Sequence, residues 1–288
     1  MDVARTIAEY RKLRAGLAEP VGLVPTMGYL HEGHLSLVRA ARERSASVVA
    51  SIFVNPSQFG PTEDLAAYPR DLDRDLSRLE EEGVAVVFVP EVDEIYPKGY
   101  DTWVTVEELT TRLEGASRPT HFRGVATIVA KLFNIVEPQI AVFGQKDAQQ
   151  ALVIDRMARD LGFDIELVIS PTVREPDGLA MSSRNVYLEP DERHSATVLR
   201  RSLTLAESLY MNGERSAESI RLQMQKVIAS EPLVDPLYVS IADVATLQEL
   251  ESVDRKVLVS LAAQVGKARL IDNVVLPPGA DLLERRSG

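Results

Sequence analysis

The sequence predicts an α/β protein: a Rossmann-like parallel sheet followed by a smaller α+β domain. Three observations carry this. Up to about residue 170, short β-branched runs alternate with stretches whose apolar residues recur every three or four positions, as strand–helix–strand units require. The run Val48-Val-Ala-Ser-Ile-Phe-Val54 is apolar almost throughout, as expected of a strand covered on both faces, which favours a parallel sheet. Beyond about residue 174 the alternation stops. Helical stretches between 190 and 230 precede three strand-like runs, so residues 1–174 and 175–288 are expected to form separate domains.

In chain order, residues 2–15 read as an amphipathic surface helix, with Val3, Ile7, Tyr10 and Leu13 on one face. The first strand spans 21–24 and stops at Pro25; Thr26-Met27-Gly28 reads as a turn, and helical spacing resumes after His34. Strand 48–54 leads into the turn-rich loop Asn55-Pro-Ser-Gln58-Phe-Gly-Pro61. A helix is expected over 65–82, closed by Gly83, then a strand over 84–89, a loop over 90–99 and an edge strand over 100–106. Gly115-Ala-Ser-Arg118-Pro-Thr-His121-Phe-Arg123-Gly124 opens a helix that buries Val125, Ile128, Val129, Leu132, Phe133 and Val136. Strand 140–143, a helix to 162 and strand 165–169 complete the first pattern; strands over 237–241, 257–261 and 268–275 belong to the second.

Composition narrows the class. Hydrophobic residues make up 45% and charged residues 26% of 288, the profile of a soluble globular protein with a sizeable core. With 43 acidic against 32 basic residues the net charge is −11, which argues against nucleic acid and anionic membrane as partners and requires any phosphate site to be a local basic pocket. The absence of cysteine excludes disulfides, thiolate metal sites and cysteine nucleophiles. The first residues carry charge at once and no apolar run is long enough to span a bilayer, so a cytoplasmic location is expected.

Chemistry concentrates first in Val21–Arg39, where His31 and His34 stand as the loop enters a helix. Free backbone N–H groups and the positive end of the helix dipole favour phosphate at such a junction, and imidazoles add donors to the same oxygens. By itself the pair also fits two solvated side chains or a metal site. It is not the zincin pattern, whose histidines are four positions apart rather than three. There is no P-loop, no Gly-x-Gly-x-x-Gly fingerprint and no Gly-x-Ser-x-Gly elbow, which removes the strongest support for ordinary kinase, dehydrogenase and serine hydrolase readings. Lys146 after the fourth strand and Ser182, Ser183 and Arg184 after the fifth would complete a polyphosphate clamp. Each alone is equally a surface lysine or a hydrophilic interdomain loop.

His31-Glu32-Gly33-His34 is similar to the His-x-Gly-His signature of the nucleotidyltransferase superfamily. With Phe-Val-Asn-Pro-x-Gln-Phe (53–59), Tyr68-Pro-Arg70, Arg-Pro-x-His-Phe-Arg-Gly (118–124), Gly-Gln-Lys-Asp-x-Gln-Gln (144–150) and Met-Ser-Ser-Arg-Asn (181–185), the chain resembles the pantoate–β-alanine ligase family, densely from about residue 21 to 188 and more loosely beyond. The resemblance implies that pantoate and ATP form pantoyl adenylate and pyrophosphate, and that β-alanine then displaces AMP. It implies His34 as proton donor and His31 as a phosphate ligand. Met27, Gly28, Tyr29, Leu30, His31, Glu32, Gly33 and His34 would line the ATP site. Gly144, Gln145, Lys146 and Asp147 would contact the nucleoside, Val173 would border adenine, and Met181, Ser182, Ser183 and Arg184 would close over phosphate. Gln58 and Gln150 would bind pantoate, with Gln58 also meeting β-alanine and Arg118 a weaker candidate.

The same reading leaves His121 and Arg123 structural or peripheral. Asp73 and Asp75 could assist Mg2+, but their helical setting favours a solvated face, and Mg2+ is expected to travel with the triphosphate with few protein ligands. Gln145 departs from the family, where many members carry glutamate. The second domain is expected to act as a lid over the ATP site, and the resemblance suggests a homodimer through the first domain. Two other readings stand beside this one: a different adenylyl-transferring enzyme of the superfamily, against which the Gln58 and Gln150 motifs weigh, and an inactive nucleotide-binding scaffold.

Overall fold

Tight pairing of β-branched residues builds the first sheet. In the computed structural model, which describes residues 1–61, 63 and 65–283, six strands lie parallel in the order β1-β4-β3-β2-β5-β6. They are β1 (Asp2–Ala4), β2 (Val21–Thr26), β3 (Ser47–Ile52), β4 (Val86–Phe88), β5 (Ile140–Gly144) and β6 (Glu166–Ser170). The helices among them are α1 (Ile7–Arg14), α2 (Glu32–Arg42), α3 (Leu72–Glu81), α4 (Val92–Ile95), α5 (Glu114–Ser117), α6 (His121–Val136) and α7 (Ala148–Asp160). All six residues of β3 are buried, as its unbroken apolar run required.

Helices cover the sheet on both sides. On one face Val24, Val48, Ala50, Ile52, Val87 and Val142 pack with Leu37, Val38 and Ala41 of α2 and Leu79 of α3. On the other, fully buried Tyr10 of α1 meets the ring of Phe88 at 5.7 Å, and its hydroxyl donates to the carbonyl of Val136 at the end of α6. From β2 the chain builds outward through β3 to β4 on one side, then crosses to β5 and β6 on the other. The order therefore reverses between β2 and β5, the place where open α/β sheets take ligands at the carboxyl ends of their strands.

Several expected elements are corrected. The expected helix over 2–15 is instead β1 followed by α1: Asp2–Ala4 pair with Val86–Phe88, and the capping box of Thr6 and Glu9 starts the helix only at Ile7. α3 begins at Leu72 rather than near 65, because Pro69 disfavours helix before it and Asp71 supplies the N-cap by accepting from Arg74 N. Segment 100–106 forms no strand; Val104 N–H donates to Thr127 Oγ1 of α6 instead of to a ladder. Residues 92–95, expected as loop, form the single turn α4.

Chain contacts divide the molecule into two compact units, Met1–Gly144 with Gln149–Ser170, and Gln145–Ala148 with the chain from Pro171 onward. The second unit holds α8 (Pro190–Ser195), α9 (Val198–Met211) and α10 (Ala217–Ile228), and an antiparallel sheet of β7 (Val234–Asp243), β8 (Val257–Val265) and β9 (Ala268–Leu276) in that order. Leu199, Leu203, Ile220, Met224 and Ile228 of its helices share one core with Ile241, Val259, Leu261 and Leu276. This is the smaller α+β arrangement read from the sequence. No helix among the described residues is long and apolar enough to cross a membrane.

Candidate active site

The loop leaving β2 is shaped by its neighbours. Thr26 Oγ1 donates to the carbonyl of Ser51 and accepts from Gly28 N, which ends the strand. Gly28 (φ +83°) and Tyr29 (φ +52°) then turn the chain through two successive left-handed residues, a conformation that costs little for glycine and is strained for tyrosine. Asp75 of α3 compensates: Oδ2 accepts Tyr29 N–H at 2.6 Å and Oδ1 accepts Leu30 N–H at 2.8 Å. Arg74 and Arg78 donate to the carbonyl of Leu30, and the Arg74 guanidinium sits 5.0 Å above the Tyr29 ring.

Asp75 is 1% exposed, so the expectation of a solvated face holds for exposed Asp73 and fails for Asp75. Burial pushes the Asp75 pKa up, and the two backbone N–H bonds oppose that shift. Its oxygens hold a loop and are not free to bind metal. The signal was in the sequence: Leu72, Asp75, Leu76 and Leu79 share one helix face, so a carboxylate stands in the apolar stripe.

This loop delivers the two histidines. α2 starts at Glu32, earlier than the expected start after His34, because His31 is its N-cap. His31 Nδ1 accepts from Gly33 N at 3.1 Å, and His34 Nδ1 accepts from His31 N at 3.3 Å; the ring centroids are 4.0 Å apart. With each Nδ1 committed as an acceptor, each neutral ring carries its proton on Nε2. The helix start thus presents two Nε2–H donors beside its own positive end.

Gln58 is built into the same region. It closes a 3-10 turn, Pro56–Gln58, capped by Asn55, which accepts from Ser57 N and Ser57 Oγ. Asn55 Nδ2 donates to Gln58 Oε1 and to the carbonyl of Gly124, both at 3.1 Å. Gln58 Nε2 donates to Met27 Sδ at 3.0 Å, so two of the segments singled out from the sequence meet directly. Asn55 was missed as a positioning group; the loop after a buried strand, with Asn directly before Pro, was the available signal.

Arg118 faces Glu63, whose two carboxylate oxygens it engages at 2.6 Å each. Its Nη1 lies 3.3 Å from Nε2 of His121, and Nδ1 of His121 lies 2.8 Å from the carbonyl of Gln58. Burial first, then the Arg118 charge, pushes the His121 pKa down to about 4. At neutral pH the ring is therefore uncharged, donating from Nδ1 to the carbonyl and accepting at Nε2 from the guanidinium. Gln150 is half-buried in the first turn of α7.

Gly144 ends β5 in the first unit, and the remaining site residues belong to the second. Gln145–Asp147 form a 3-10 turn whose Gln145 and Lys146 carbonyls both accept from Asn273 Nδ2 at 2.9 Å. Lys146 Nζ is 3.7 Å from Asp147 Oδ1. Met181 N donates to the carbonyl of Val173, which brings those two positions together, and Ser182 Oγ accepts from Arg184 N to cap the turn Ser183–Tyr187. Both turns pack against β9. Next to Asn273, Asp272 takes both terminal nitrogens of Arg174, at 2.6 and 3.0 Å. Asp272 and Asn273 were missed; a polar pair inside the apolar run Ala268–Leu276 was the readable sign. Among the described residues no three His, Asp or Glu side chains gather as metal ligands.

The reversal in strand order at β2 and β5, with a histidine-capped helix following β2, defines a Rossmann-like α/β protein of the nucleotide-handling kind. Comparison with known proteins narrows this to one family. The family model described as pantoate-beta-alanine ligase matches residues 2–275. Pantothenate synthetase of Roseiflexus castenholzii is 58% identical over 276 residues, covering 96% of this chain and 99% of that protein. The pantothenate synthetase of Thermotoga petrophila is 56% identical over 279 residues, covering 96% and 100%. Among solved structures, Thermus thermophilus pantothenate synthetase superposes with a TM-score of 0.91 at 50% identity, over 95% of this chain and 99% of that one. Francisella tularensis pantoate-beta-alanine ligase, complexed with beta-gamma ATP and beta-alanine, gives 0.79 at 32% identity, over 96% and 97%. The chain belongs to the pantoate–β-alanine ligase family.

Proposed function

We infer that this chain forms pantothenate from pantoate and β-alanine with consumption of ATP, and that it does so through pantoyl adenylate. A pantoate carboxylate oxygen attacks the α-phosphorus, the bond to the bridging oxygen of the β-phosphate breaks, and pyrophosphate leaves. The amine of β-alanine then attacks the acyl carbon, loses a proton, and expels AMP. A free carboxylate is a poor acyl electrophile, and adenylation gives it a leaving group that needs no protein nucleophile, in keeping with a cysteine-free chain.

The observation that carries this reading is the close, tilted ring pair His31 and His34, both held by Nδ1 at the start of α2. Their Nε2–H groups are preorganised donors for charge that moves onto departing phosphate, the arrangement that costs no reorganisation during reaction. Met27 through His34 serve ATP, and Gln58, its amide oriented by Asn55 and Met27, serves pantoate and β-alanine with Gln150. Arg118, paired with Glu63, contributes to that pocket's walls. Gly144 and, from the second unit, which acts as a lid, Gln145–Asp147 follow the nucleoside, Val173 borders adenine, and Lys146, Ser182, Ser183 and Arg184 supply cationic and hydroxyl ligands to the phosphates. Mg2+ would arrive on the triphosphate oxygens and neutralise part of their charge; the commitment of Asp75 to the loop supports this. A homodimer in the cytoplasm completes the proposal, testable by light scattering and fractionation.

The deciding experiment is pantoate-dependent exchange of labelled pyrophosphate into ATP without β-alanine, followed by AMP release when the amine is added. Formation of ADP would reject the adenylate route. A product that retained the nucleotide would favour a different adenylyl-transferring enzyme, and absence of turnover would favour a nucleotide-binding scaffold.

A further inference from the structure

The main chain of Gln58 is held as firmly as its side chain, and by a different element. α6 lies directly on the Pro56–Gln58 turn: a Cβ on Gly124 would stand 2.4 Å from the carbonyl oxygen of Ser57, so only glycine permits the approach. One turn earlier, at the first residue of α6, His121 Nδ1 reaches the carbonyl of Gln58 at 2.8 Å. The opposite ring nitrogen meets Arg118, itself locked by both oxygens of Glu63. Glu63, Arg118, His121 and the Gln58 carbonyl thus form one connected line, ending at the residue whose amide meets Met27.

We propose that His121 is a positioning residue for the acid-substrate pocket: its Nδ1–H fixes the Gln58 carbonyl, and through it the direction of the Gln58 amide, while the Glu63–Arg118 pair seats the ring. This rests on the reading of Gln58 as a pantoate ligand. The ring touches no reacting atom. Its function is to reduce the number of orientations from which Gln58 must be recruited when the substrate binds.

The test uses the full chain, with KM for pantoate, ATP and β-alanine measured by pantothenate formation, and thermal unfolding recorded alongside. His121→Leu removes the donor; His121→Asn keeps one near the position of Nδ1. We expect Leu to raise the pantoate KM by about tenfold, the scale of one well-placed hydrogen bond, with the ATP KM changed by less than about threefold, and Asn to restore most of the loss. Equal rises in both KM values, an unchanged pantoate KM, or an Asn variant as impaired as Leu would overturn the proposal. If the Leu variant does not fold, His121→Gln, whose donor sits one bond too far out, replaces it with the same outcomes. Gln58→Ala separates the two layers. An unchanged pantoate KM there removes the underlying reading of Gln58, whereas a raised one beside a normal His121→Leu removes only the role of His121.

Discussion

Asp75 of α3 accepts the main-chain N–H of Tyr29 at 2.6 Å, from forty-six positions further along the chain. A nearly fully buried carboxylate thereby holds a tyrosine at φ +52° and sets the path into His31. In Asp75→Asn the amide keeps the shape and turns one acceptor into a donor facing another N–H. We expect a loss of about 1–3 kcal/mol in urea unfolding, the range for a buried group left unsatisfied, together with reduced pyrophosphate exchange. Unchanged stability would show that the two N–H bonds contribute nothing net.

Gly124→Ala should be among the more damaging small substitutions. The new methyl meets backbone atoms, the Ser57 carbonyl and Gln58 N at 2.4 and 2.7 Å, and no flexible side chain is there to yield. A cost of about 1–3 kcal/mol is expected from overpacking, read by thermal or urea unfolding.

Stability should fall with acid in a window set by His121. Its folded pKa is about 4 against 6.5 for the unfolded reference, so between these values the unfolded chain binds more protons and stability rises with pH. The contribution is fully present above about pH 6.5 and lost as pH falls toward 4, with a slope of at most about 1.4 kcal/mol per pH unit. Unfolding free energy measured across this window in wild type and His121→Asn checks it: the variant should lack that slope.

Gln145→Glu should be close to neutral. The Gln145 amide lies at 3.5 Å from Asn273 Oδ1, the outer limit of a hydrogen bond, while the firm contacts of Asn273 go to main-chain carbonyls that the substitution leaves in place. A change within about 0.5 kcal/mol in unfolding and a near-normal turnover number are expected.

How much of this was readable beforehand follows from where each residue's information lies. Val48–Val54 announced a buried parallel strand because an apolar run has few other uses, and the histidine pair announced itself by its place between strand and helix. Asp2–Ala4 did not: three residues cannot show an alternation, and only pairing with Val86–Phe88 makes them a strand. The roles of Asp75, Asn55 and Asn273 were hidden for a related reason. Each acts by accepting or donating to backbone groups distant in sequence, and a polar residue carries no mark of which carbonyl or N–H it will find. The ties from His121 to Gln58 and from Asp272 to Arg174 are of the same kind.

The most direct measurement is pantoate-dependent pyrophosphate–ATP exchange by wild type and His34→Ala, both shown to be folded by circular dichroism. With Nε2–H of His34 acting as a preorganised donor to departing phosphate, exchange should fall by at least about 10²-fold while the unfolding midpoint shifts only modestly. Exchange within a few-fold of wild type in the folded variant would contradict the assignment of the histidine pair to phosphate chemistry.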